Sequence, residues 1–208
     1  MLEATADPEL VRDLAEVAEL AAAAATRGSK AHWRSILAGA SPREVLARLM
    51  AGDPLRLRER VAEGLQRNAL LLDPDRVVLR CAARIARFAQ RYRGQPDIEA
   101  WLRSQVDGAA FDLVAEDEEQ PRGAGDAAFQ GLGELARPLG FDPQLVHEAC
   151  VVHNRFPLEE RRVFRSVVLE GRSLDELAAR SGQSATDLAR CARRVFDGMG
   201  AVFSRRAP

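Results

Sequence analysis

The residues best suited to chemistry lie near the C-terminus, where arginines follow a glycine-bearing turn. Ser173 precedes an apolar stripe of Leu174, Leu177 and Ala178. Ser181-Gly182-Gln183 interrupts it, and Ser184 caps a second stripe of Leu188, Cys191, Ala192 and Val195. Helix, short turn, helix is the helix-turn-helix pattern. Its first helix braces on a nucleic-acid backbone, and its second places exposed residues in a groove. The exposed positions here are Ala185, Thr186, Asp187, Ala189, Arg190, Arg193 and Arg194. Arginine suits bidentate contact to guanine or phosphate. From Pro157 to Pro208, ten arginines outnumber seven acids, a local charge of +3. The candidate DNA-contacting set is Arg172, Ser184, Thr186, Arg190, Arg193 and Arg194. A plain helical hairpin with a solvated arginine face is the competing reading.

A second basic feature is the series Arg76, Arg80, Arg84, Arg87, Arg91 and Arg93, with no acid between its ends. Spacing of three to four residues puts the first five on one helical stripe, opposite Val77, Val78, Cys81, Ile85, Phe88 and Tyr92. Such a stripe meets a nucleic-acid backbone or an acidic partner, or is simply solvated. Its counterpart is acidic: Asp107, Asp112, Glu116, Asp117, Glu118 and Glu119, with no base among them. These acids are expected to repel nucleic acid or to neutralise the arginine stripe rather than to catalyse. His147-x-x-Cys150-x-x-His153 holds metal-ligand residue types. On one helix the three fan over ~120° with no fourth ligand nearby, so no metal is expected; a buried cysteine with two ordinary histidines is.

These features need helices to place them. Asp7-Pro8 opens the first, through Leu10, Val11, Leu14, Val17 and Leu20 to about Gly28. Ser41-Pro42-Arg43-Glu44 is a capping box for a helix ending at Gly52. Asp53-Pro54 opens another to about Leu72, Asp73-Pro74 the next to Gly94, and Asp97 caps one from Ile98 to about Ala115. Residues 116–142 hold five glycines and two prolines behind an acidic run, which reads as a linker. Pro143 and Pro157 each start a helix, followed by Ser173–Ser181 and Ser184 to about Met199. No strand signal appears. The expectation is an all-α chain of two helical domains joined by a Gly/Pro-rich acidic linker, the second a helix-turn-helix. Its parts are an N-terminal extension 1–40, a bundle 41–115, the linker 116–142 and a DNA-binding domain 143–208.

Composition fits a globular chain, with 47% apolar and 29% charged residues. The 30 basic and 31 acidic residues nearly cancel, which excludes a blanket of positive charge but not local patches. Lys30 is the only lysine, which reads as codon bias rather than chemistry. Three distant cysteines read as reduced, mostly buried thiols. No apolar run reaches the ~18 residues of a membrane span. The acidic start is unlike a signal peptide, so a cytoplasmic location without membrane contact is expected. No GxGxxG, P-loop, HExxH or GxSxG motif occurs, so no enzyme activity, catalytic residue or cofactor is expected.

Two stretches resemble a known family. One runs Phe156-Pro157-Leu158-Glu159-Glu160-Arg161-Arg162-Val163-Phe164, then Leu169-Glu170-Gly171-Arg172-Ser173-Leu174-Asp175-Glu176-Leu177-Ala178, then Gly182-Gln183-Ser184. The other holds Tyr92-Arg93-Gly94, Trp101-Leu102 and Phe111-Asp112-Leu113, with Ala51-Gly52-Asp53-Pro54 upstream. Together they resemble a bacterial RNA polymerase sigma factor of the small, two-domain, extracytoplasmic-function type. The family's clamp motif D-x-x-Q-E aligns with Arg76, Leu79 and Arg80. Its promoter-melting helix aligns with Asp107, Gly108 and Ala115, and the basic pair of its recognition helix with Ala189 and Cys191. The resemblance implies core RNA polymerase and promoter DNA as partners, and an anti-sigma factor as a further one. The implied polymerase-contacting residues are Arg76, Leu79, Arg80 and Arg84. Two other functions are compatible with these residues: a protein-interaction regulator on a degenerate sigma scaffold, and a simple helix-turn-helix regulator with an N-terminal dimerisation bundle.

Overall fold

A computed structural model describes residue 37, residues 41–119 and residues 142–204. The helix expected from Asp7 and the weak helix near Leu132–Arg137 lie outside the described residues. Within them the chain is helical, with no strand. In chain order the helices are α1 (Pro42–Met50), α2 (Leu57–Arg67), α3 (Pro74–Phe88, continued by a 3₁₀ turn Ala89–Arg91) and α4 (Ile98–Glu119). Then come α5 (Pro143–Asn154), α6 (Leu158–Phe164, continued by a π-helical turn Arg165–Leu169), α7 (Leu174–Ser181) and α8 (Ala185–Ser204). Among the described residues, no helix is long and apolar enough to cross a membrane.

Most helix starts follow local rules. The Glu44 amide donates to Ser41 Oγ at 3.3 Å and the Ser41 amide to Glu44 Oε2 at 2.7 Å, the reciprocal capping box. Asp73, Asp142, Ser173 and Ser184 each accept from an amide in the first turn of α3, α5, α7 and α8. Asp97 takes the Glu99 and Ala100 amides of α4.

Five boundaries differ from expectation. Helix α2 ends at Arg67 rather than near Leu72, with Ala69 in left-handed backbone, and α3 gives way to the 3₁₀ turn Ala89–Arg91 short of Gly94. Helix α2 begins at Leu57 rather than at Pro54, because Asp53 and Arg56 both adopt left-handed backbone, with φ of 47° and 53°. The Asp53 carboxylate still caps it, reaching forward to the Leu57 and Arg58 amides. Helix α4 runs on to Glu119, so residues 116–119 are helix and not linker. Their side chains find arginines on α3, which outweighs the weak helical tendency of an acidic C-terminal turn. Helix α8 continues past Met199 to Ser204, with Val202 buried.

One apolar cluster joins α1 to α4. Val45, Leu49, Leu57, Val61, Val77, Cys81, Ile85, Leu102 and Val106 are at most 2% exposed. Each such aliphatic side chain contributes about 1.5–3 kcal/mol on leaving water, so this cluster dominates stability. Trp101 and Leu102 are buried, as the apolar face of their helix predicts. Helix α3 lies centrally, against α1, α2 and α4. In the C-terminal half, α8 packs on α5, α6 and α7 through Leu188, Ala192, Val195 and Val202.

Helices α2 and α4 come together at Gly64, where an added Cβ would sit 2.6 Å from Val106 Cγ1. Gly64→Ala should therefore force the helices apart and cost about 1–3 kcal/mol despite its better helix propensity. Urea unfolding checks this; an unchanged or raised midpoint would refute the close approach.

Candidate functional site

The arginine stripe of α3 is met by the acids of α4. Arg84 pairs with Asp112 at 2.6 Å, Arg80 with Glu116 at 2.6 Å and Arg76 with Asp117 at 3.2 Å. The arginine numbers rise as the acid numbers fall, so the two helices run antiparallel. Of the residues assigned to partner binding, Arg76, Arg80 and Arg84 are thus brought together and neutralised within the chain. Leu79 shares none of these pairs and is 56% exposed. Asp112, Glu116 and Asp117 neutralise these three arginines, one of the two roles expected for the acids, whereas Asp107 pairs with Arg67 of α2 and Glu118 with Arg155. The Arg80 and Arg84 pairs are partly exposed and worth ~0–1 kcal/mol each, so they decide which charges are available more than they decide stability; in the Arg76 pair the Asp117 side chain is buried.

The upper end of α3 is different. Arg84, Phe88, Arg91, Tyr92, Gln95, Trp101 and Gln105 line an open hollow of about 260 Å³. The Tyr92 ring stacks on Trp101 with centroids 4.6 Å apart and planes 28° apart. The Tyr92 hydroxyl donates to the Pro96 carbonyl at 2.7 Å, which holds the stack over the loop. Gln105 Oε1 and Arg84 Nε are buried with no hydrogen-bond partner. Arg84 Nε lies against Gly108 of α4, so what the hollow offers is aromatic faces and arginine charge, which suit a flat group carrying negative charge. Sequence reasoning missed this hollow. Its signal was present in Tyr92 and Trp101, but their convergence depends on how α3 and α4 cross.

In the C-terminal half, α7 ends at Gly182, with φ of 71°, and Ser184 starts α8. Thr186, Arg190 and Arg193 share one exposed face of α8, opposite Leu188, Ala192 and Val195. The Arg190 guanidinium donates to Asp187 Oδ1 at 2.7 Å, and Ser184 Oγ donates to Asp187 Oδ2 at 2.7 Å. Ser184 first, and then Arg190, hold the Asp187 carboxyl below its usual range. Arg193 approaches Asp197 at 3.6 Å and stays 82% exposed. Arg194 is turned away, to Glu160 of α6 at 3.0 Å, and Arg172 pairs with Glu170 at 2.9 Å. The six DNA-contacting candidates therefore do not form one surface; Thr186, Arg190 and Arg193 do.

A polar seam joins the two halves. The Asn154 side chain, 6% exposed, accepts from the Leu71 amide at 2.8 Å and donates to the Leu71 carbonyl at 2.9 Å. Arg161 donates to the carbonyl of Asn68 at 3.0 Å, and Arg162 to that of Arg67 at 3.3 Å. These carbonyls lie at the end of α2, where cations suit the helix dipole. Asp117, with its side chain 7% exposed, sits between Arg76 and His147, whose Nε2 is 3.9 Å away. Among the described residues, no group of three or more His, Cys, Asp and Glu is placed to hold a metal ion. Burial pushes the Cys150 thiol up to about 11 and the Cys81 thiol up to about 12, so both stay protonated at neutral pH. No protein-family model, curated protein or solved structure matches the chain.

His153 is fully buried beside the seam, against the Phe164 ring. Asn154 Oδ1 already accepts from Leu71, so His153 Nδ1, 3.2 Å away, must be the donor of that pair. Its Nε2 is then an unpaired acceptor. Burial, followed by the nearby Arg161 and Arg165, lowers its pKa below 6.5, against the opposing pull of Asn154. The unfolded chain therefore takes this proton first. Stability is full above pH ~6.5 and falls as pH drops below it, by at most about 1.4 kcal/mol per pH unit. Urea unfolding at several pH values should show that loss, and His153→Gln should flatten the slope. Burial also lowers the pKa of His147, so part of the slope should remain in that variant. An equal slope in the variant would contradict the assignment.

Proposed function

We propose that the chain is a sigma-like transcription initiation factor. Its first four helices bind core RNA polymerase, and α7 and α8 form a helix-turn-helix that reads promoter DNA. The observation that carries this reading is the exposed face of α8. Ser184 caps the helix, Gly182 sets the turn before it, and Thr186, Arg190 and Arg193 project together from its exposed side. That face is what a groove-reading helix requires: a short polar side chain near its N-terminus and arginines along its exposed side. Two further features agree. The motifs in both halves resemble the same family, and the hollow at Tyr92, Trp101 and Gln105 suits an unstacked base from an opened strand. The chemistry belongs to the polymerase; the chain supplies recognition. On this reading it works beside DNA in the cytoplasm, and an anti-sigma factor is a natural regulator.

One observation favours a second reading, that of a protein-interaction regulator. Arg76, Arg80 and Arg84 are already paired with carboxylates of α4, which leaves fewer free charges for a polymerase.

Fluorescence anisotropy of the full chain on a panel of DNA duplexes, across several salt concentrations, tests the DNA role. Arg193→Ala should weaken binding to all sequences alike and lower the salt slope by about one unit. Arg190→Ala should also relax specificity, by about 1–3 kcal/mol at one base pair. Arg194→Ala should do less, because Glu160 holds that side chain away from the face. Absence of salt-dependent binding, or equal binding by the Arg190 and Arg193 variants, would remove the DNA-reading role. Retention of the chain by immobilised core RNA polymerase tests the other half of the reading.

A further inference from the structure

The last turn of α4 is poorly made to be a helix end. Residues 115–119 are Ala-Glu-Asp-Glu-Glu, and the turn carries no base. Negative charge at a helix C-terminus opposes the macrodipole, and like charges three residues apart repel. No buried apolar side chain anchors it either: the core cluster ends at Leu113 and takes no residue from α5 to α8. What holds it is charge pairing. Arg76 and Arg80 of α3 grip Asp117 and Glu116. From the other half, His147 faces Asp117 at 3.9 Å and Arg155 faces Glu118 at 3.5 Å. Between them lies a hollow of only about 10 Å³, bounded by charged and polar groups (Asp73, Arg76, Asp117, His147) and by Leu71, Leu72 and Val151. A seam held by hydrogen bonds and ion pairs, which the apolar core cluster does not cross, opens more readily than a continuous core.

We propose that this acidic turn is a built-in stand-in for an acidic helix of a partner protein. It occupies Arg76 and Arg80 until the seam opens, and α5 keeps it in place. The inference rests on the reading of Arg76 and Arg80 as partner-contacting residues. The fit points to a helix: two arginines one turn apart on α3 are met by adjacent carboxylates on an antiparallel helix. Leu79, exposed beside them, favours a protein over a nucleic-acid backbone, because phosphates offer an apolar side chain nothing to pack on. A tethered competitor acts at high effective concentration, so it excludes a free ligand even when each pair is weak. Arg84 is not released in this scheme. Its partner Asp112 precedes Leu113, within the anchored part of α4.

The probe is a labelled synthetic peptide of the chain's own residues 105–119, titrated into the full-length protein. The wild type should bind it weakly. Glu116→Gln with Asp117→Asn should bind it on the order of tenfold or more tightly, because the tethered competitor is disarmed. Adding Arg76→Ala and Arg80→Ala should return binding to the weak level. Equal binding by the wild type and the Glu116/Asp117 variant, or binding that survives loss of both arginines, would overturn the proposal. Preference of the disarmed variant for a DNA duplex over the peptide would overturn the acidic helix as the partner. Arg155→Ala offers a second route, because that half-exposed side chain braces the turn without touching α3. Amide exchange at residues 115–119 should quicken in it, and unchanged exchange there would count against the clamp. Core polymerase added to the same proteins separates the two readings. If the peptide result holds and neither protein is retained by polymerase, the sigma-like function falls and the self-contact stands.

Discussion

Helix α3 has to satisfy two surfaces at once, and the N-terminal half is arranged around that requirement. One face buries Val77, Val78, Cys81, Ala82, Ile85 and Ala86 against α1, α2 and α4. The flank carries Arg76, Arg80 and Arg84, whose guanidinium groups must remain hydrated or be paired. Helix α4 answers both needs. Leu102, Val106, Ala109 and Leu113 close the core, and Asp112, Glu116 and Asp117 meet the arginines. The apolar contacts are worth far more than the half-exposed ion pairs. Packing therefore sets where α4 lies, and the charges set what α3 can still offer to another molecule.

The seam between the halves follows a different logic. Helix α2 ends at Arg67 and leaves carbonyls without partners in the helix. Arg161 and Arg162 reach those of Asn68 and Arg67 from α6, and Asn154 pairs both backbone groups of Leu71. Hydrogen bonds of this kind are specific in geometry but modest in net energy, about 1 kcal/mol each. They fix how the halves meet without welding them. That combination explains why the acidic end of α4, which touches both α3 and α5, is the place where closure and charge availability are linked.

The two candidate surfaces differ in how they are built. On α8 the exposed face is local: Thr186, Arg190 and Arg193 share a side of one helix, and Ser184 fixes where that helix begins. The hollow near Trp101 is assembled from three separate stretches: the end of α3, the loop at Gln95 and the start of α4. Its unpaired atoms on Gln105 and Arg84 exist only because packing removes them from water there.

Helix starts at Ser41, Asp73, Asp97, Ser173 and Ser184 were legible in the sequence. A cap answers amides only two or three residues away, so the signal and its target lie in one short window. The all-helical class and the buried faces of α3 and α8 were legible for the same reason, through a spacing that a helix repeats. Asp53 was misread because its left-handed backbone moved the start of α2 to Leu57 while its carboxylate still capped the helix. The partners of the arginines were not legible. Arg76 and Asp117 are 41 residues apart, and Arg161 and Asn68 are 93 apart. Charge spacing along the chain determined which side chains share a face. Only the crossing of α3 with α4, and the docking of α5 and α6 on the end of α2, decided which were neutralised and which were left exposed. Long-range electrostatic partners are chosen by the apolar packing that brings their helices together.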